Sequence, residues 1–99
     1  MKLSDIKTAY RSSDYQCAEV ALPDGRKYTI HGDRKRGGSY RRRGYYWDFR
    51  VVGPGIAHLA TKNERQMDHT YRGFSLNCIR LGAANMTGAK RRLAHLLSL

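Results

Sequence analysis

The sequence predicts an α+β fold: an antiparallel sheet of four to five strands, with a short N-terminal helix and a C-terminal helix packed on one face. Three observations predict it. Several short runs alternate apolar and polar residues with period two, turn residues close neighbouring runs into hairpins, and a helical apolar period appears at the C-terminus. Close links between strands imply antiparallel pairing, and a helix with one apolar face must bury it against the sheet.

Taken in order, Ser4 can cap a helix over Asp5–Tyr10, with Asp5 favourable in its first turn and Leu3, Ile6 and Ala9/Tyr10 on its buried side. CAEVAL, residues 17–22, alternates Ala18, Val20 and Leu22 against Cys17, Glu19 and Ala21. Pro23-Asp24-Gly25 suits a tight turn. RKYTIH then places Tyr28 and Ile30 on one face and Lys27, Thr29 and His31 on the other, completing a β-hairpin.

The stretch GDRKRGGSYRRRGYYWDFRVV, Gly32 to Val52, holds seven basic residues, four glycines and five aromatic rings. Its first part, 32–44, has no apolar period and predicts a mobile arginine-rich loop. Its second part, Tyr45–Val52, predicts a strand with Tyr45, Trp47, Phe49 and Val51 on one face and Tyr46, Asp48, Arg50 and Val52 on the other. Gly53-Pro54-Gly55 turns the chain, and IAHLAT predicts a shorter returning strand. Lys62–Gly73 is polar and suits a loop or a single helical turn; Phe74–Leu81 alternates as a further strand. After a loop at Gly82–Met86, Ala89, Leu93, Leu96 and Leu97 recur at helical spacing, so a closing helix is expected over Thr87–Leu97, capped by Asn85 or Thr87.

With 99 residues, 40% of them hydrophobic and ten of them aromatic, the chain suits one small folded domain, 1–99, rather than a disordered basic tail. Nineteen Lys and Arg against eight Asp and Glu give a net charge of +11. Self-repulsion of that size disfavours a compact state and points to a polyanionic partner. No run approaches a membrane span, and the opening MKLSDIKTAY lacks a signal-peptide core, so no membrane partner and a cytoplasmic location are expected. There Cys17 and Cys78 are expected as reduced, buried small hydrophobes.

No CxxC, HxxxH, DxD, HExxH or GxxxxGK[ST] spacing occurs, so neither a metal nor a cofactor is expected. The charge falls instead in two blocks, Arg34–Arg43 and Lys90-Arg91-Arg92. Arginine pairs with phosphate bidentately and stacks on bases, and rings interleaved with it suit base stacking. The candidate nucleic-acid contacts are therefore Arg34, Lys35, Arg36, Tyr40, Arg41, Arg42, Arg43, Tyr45, Tyr46, Lys90, Arg91 and Arg92. The second block is expected in the first turn of the last helix, where cations oppose the macrodipole unless a phosphate meets them. Together these features predict non-enzymatic binding of DNA or RNA with modest sequence specificity.

Two alternatives use the same residues. An arginine-rich face with exposed rings also suits an acidic protein surface. By analogy of size and charge, the chain then fits a small phage-type inhibitor that blocks a host nucleic-acid-processing or defence complex. Alternating apolar residues on both sides of Tyr45–Val52 also leave room for a homodimer. The second alternative is metal-independent RNA cleavage, for which His31, His58, His69, His95, Tyr40, Tyr71 and the arginines supply suitable chemistry. The segment YRRRGYYWDFRVV resembles the arginine-rich central strands of RelE-type toxins, small basic ribonucleases. The resemblance covers about a dozen residues, the opening of the chain departs from that family, and no catalytic residue is carried over from it.

Overall fold

The computed structural model describes residues 5–36, 44–60 and 77–98. Five strands, β1 (Lys7–Arg11), β2 (Tyr15–Ala21), β3 (Lys27–Arg36), β4 (Tyr45–Val52) and β5 (Cys78–Leu81), form one antiparallel sheet in sequence order. A short helix, α1 (Ile56–Leu59), lies between β4 and β5, and α2 (Met86–Ser98) follows β5.

Cross-strand register fixes the two faces. Ala18 pairs with Ile30, Ile30 with Val51 and Val51 with Ile79, so these side chains share one side of the sheet. They join Val20, Tyr28, Phe49 and Leu81 in a core completed by Ile56, Ala57 and Ala60 around α1 and by Ala89, Leu93 and Leu96 of α2. Both helices thus pack on one face. The buried sides expected from the periodicities of CAEVAL, RKYTIH, Tyr45–Val52 and the last helix include these core residues of β2, β3, β4 and α2. Tyr28 is fully buried, and its hydroxyl donates to the Pro54 carbonyl at 2.8 Å, giving its polar tip a partner. In the turn before it, Gly25 takes φ 93°, and Asp24 accepts from the Arg26 amide and guanidinium at 3.0 and 2.7 Å.

Four expectations need correction. The expected N-terminal helix over Asp5–Tyr10 is replaced by β1. So short a helix is marginal by itself, whereas β2 offers a strand edge to pair with. All five residues of β1 are exposed, including Ala9 and Tyr10, and a bulge between Thr8 and Tyr10 breaks the pairing; Ile6, just before it, enters the core, while Leu3 and Ser4 lie outside the described residues. IAHLAT forms α1 rather than a strand, since Ile56, Ala57 and Ala60 reach the core at one-, three- and four-residue spacings that suit a helical turn.

Of the expected loop at 32–44, Gly32–Arg36 instead continue β3 and pair with Tyr45–Phe49, and residues 37–43 lie outside the described residues. A Cβ at Gly32 would lie 2.5 Å from Cε1 of Phe49, so the glycine makes room for a ring instead of ending the strand. Finally, Cys17 and Cys78, expected as buried small hydrophobes, are only half-buried, form no disulfide with each other and stand on the sheet face opposite the helices. The expectations for Lys62–Gly73 and for the start of Phe74–Leu81 lie outside the described residues, while Cys78–Leu81 is a strand.

Candidate nucleic-acid interface

Strand alternation divides the first basic block between two faces. Arg34 stands opposite Trp47 and Arg36 opposite Tyr45 on the helix-bearing side, while Lys35 stands opposite Tyr46 on the other. All three cations are exposed. The Arg34 guanidinium sits 4.1 Å from the centre of the Tyr45 ring, a cation–π contact at a ring that is 64% exposed. Trp47, half-buried, stacks on Phe49 with ring centres 6.1 Å apart. Core packing thus fixes β4, and β4 presents Tyr45 and Tyr46 at the end of the sheet.

On the helix-free face Asp48 is a buried carboxylate surrounded by cations. Arg80 Nε donates to Oδ1 at 2.8 Å; Arg50 Nε and Lys35 Nζ lie 3.8 and 3.9 Å from Oδ2. A buried acid is costly unless paired, and here it is paired across three strands. Three cations surround Asp48, and with Asp33 opposite it on β3 the cluster still keeps a surplus of one positive charge. The carboxylate holds these long side chains against the sheet, which lowers the entropy lost when they bind an anion.

The same face carries a row of polar side chains: Cys17 opposite His31, His31 opposite Arg50, and Arg50 opposite Arg80. His31 Nδ1 is hydrogen-bonded to the Tyr15 hydroxyl, and the Tyr10 and Tyr15 rings meet at 6.0 Å. Burial pushes the Tyr15 hydroxyl above its ordinary range, and nearby Cys17 and Asp33 push it in the same direction.

Among the described residues β5 pairs with Phe49–Val52, and β4 extends past it to Tyr45. Beside that extension lies a cavity of about 580 Å³, lined by Tyr45, Tyr46, Trp47, Asp48 and Arg80 and closed by the small residues of Gly82–Ala84. Its rings come from both faces of the sheet, because β4 alternates.

Of the residues expected from sequence, Arg34, Lys35, Arg36, Tyr45 and Tyr46 gather at this end of the β3–β4 pair. Tyr40, Arg41, Arg42 and Arg43 lie outside the described residues. The second block needs correction. α2 begins at Met86, and Asn85 caps it by accepting from the Gly88 amide at 2.8 Å, so Lys90, Arg91 and Arg92 start its second turn. Lys90 donates to Thr8 Oγ1 at 2.8 Å, over the β1 edge. Sequence reasoning missed Asp48, Arg50 and Arg80 as a group. Their signal was the polar side of each strand: Asp48 and Arg50 alternate in β4, and Arg80 interrupts Ile79 and Leu81 in β5.

Among the described residues no helix is long and apolar enough to cross a membrane, and no three His, Cys, Asp or Glu side chains gather as metal ligands. No family model, curated protein or solved structure matches the chain at a significant level.

Proposed function

We propose that the protein binds nucleic acid in the cytoplasm without altering it chemically, and that it does so through the β3–β4 end of the sheet. The observation that carries this is the set of consecutive exposed cations Arg34, Lys35 and Arg36, which reach both faces of the sheet beside Tyr45 and Tyr46. Phosphates are neutralised by the cations, and the rings contact bases or sugars. Since phosphate contacts carry no sequence information, specificity is modest. Arg50 and Arg80 extend the cationic surface across the helix-free face, and Lys90–Arg92 lie apart from it, on the helix.

Labelled DNA and RNA strands incubated with the protein at low salt provide the test. Binding that weakens steeply as salt rises is expected. No binding of either polymer at low salt contradicts the proposal and shifts attention to an acidic protein surface.

The row across the helix-free face favours one second reading, metal-independent RNA cleavage. An imidazole fixed by Tyr15 lies next to Arg50 and then Arg80, which together supply a proton-transfer group and two cations for a phosphate. Cleavage of RNA in the presence of chelator, abolished by His31→Ala, would support it. Intact RNA after prolonged incubation removes it.

A further inference from the structure

We infer that the cavity beside β4 is a slot for an unpaired nucleobase, so that the chain prefers single-stranded to paired nucleic acid; this rests on the nucleic-acid binding proposed above. The slot exists because β5 ends at Leu81 while β4 runs on to Tyr45, and because Gly82, Ala83 and Ala84 bring little bulk to the opposite wall. Its volume, about 580 Å³, lies within the range of sites that enclose small organic groups.

The lining matches a base better than an aliphatic group. Tyr45 and Trp47 border the slot from one side of β4 and Tyr46 from the other, so a base entering at the strand end has a ring to stack on whichever side it takes. The polar lining can read a base edge. Asp48 is an acceptor suited to an exocyclic amino group, and its bond to Arg80 uses the Nε–H, one of five guanidinium donors. Arg34 against Tyr45 and Lys35 beside Asp48 place positive charge around the slot, where the phosphates on either side of an inserted base must run.

A base within a duplex is stacked on both faces and paired along its edge, so it can enter only after unpairing. Single strands present their bases without that cost. The difference separates a slot from a purely electrostatic surface, which takes duplex and single strand by phosphate alone.

Trp47 is the sole tryptophan of the chain and lines the cavity, so its fluorescence reports occupancy directly. The experiment titrates the full-length protein with a single-stranded oligonucleotide, an abasic strand of equal length and the corresponding duplex, at one low salt concentration. Quenching of Trp47 by the single strand is expected, with affinity about tenfold above that for the abasic strand and the duplex. Tyr45→Ala, at an exposed position that leaves the core intact, should weaken single-strand binding more than abasic-strand binding and so remove most of that advantage; an advantage as large as the parent's contradicts the slot. Equal affinities for the three polymers with unaltered Trp47 emission overturn the slot but leave phosphate binding standing. Failure of all three to bind removes the nucleic-acid proposal and the slot with it.

Discussion

Gly32 occupies the middle of β3 because the Phe49 ring fills the space a side chain would need. Gly32→Ala therefore overpacks a fully buried contact, and a loss of about 1–3 kcal/mol is expected in urea denaturation. A stability equal to that of the parent would show that Phe49 has room to move. Tyr15 offers a pH test at the same scale. Its folded-state pKa lies above the ordinary value of 10.0, chiefly through burial. Folding therefore holds this proton more tightly than the unfolded chain does. The resulting stabilisation is complete below the unfolded pKa and is lost as pH rises through the folded one. Stability should decline from about pH 10 upward, and Tyr15→Phe should flatten that decline; an unchanged alkaline slope would rule out this contribution. Residues like these explain what was legible in the sequence. Ala18, Val20, Tyr28 and Ile30 announced the core through alternation, whereas Gly32 read as a strand breaker because nothing local reveals the ring it faces.

Individual elements were legible in proportion to how much their own periodicity settled. α2 declared itself through Ala89, Leu93 and Leu96, and its cap through Asn85. Asn85→Ala leaves the Gly88 amide without its side-chain acceptor and should cost about 1 kcal/mol, visible as a lower denaturation midpoint; no change would show that solvent replaces the cap freely. β1 was illegible because all its residues are exposed, so its strand character comes from pairing with β2 and not from its own pattern. α1 was misread for a related reason. A four-residue element is too short to display a period, and the apolar residues around it fit either conformation until the core accepts them. The candidate site was half legible. Arg34, Lys35 and Arg36 stood out as a charge run, but the grouping of Lys35 with Arg50 and Arg80 around Asp48 depends on register across three strands.

At the scale of the molecule, one sheet separates two functions. The helix-bearing face holds the core, while the helix-free face and the β3–β4 end carry cations and rings positioned by strands whose other sides are buried. This division explains how a chain with net charge +11 stays folded: its repulsive groups stand on the surface, and the buried acid Asp48 sits among three of them. The central claim is that the cations at the strand end neutralise phosphate. Its most direct test compares the salt dependence of oligonucleotide binding between the parent protein and the triple variant Arg34→Ala, Lys35→Ala, Arg36→Ala. All three positions are exposed, so the fold should persist. Each lost phosphate contact lowers the magnitude of the log–log slope by about 0.7–0.9, so a reduction of roughly 2–3 is predicted, together with weaker binding at every salt concentration. An unchanged slope and affinity in the triple variant would contradict the account.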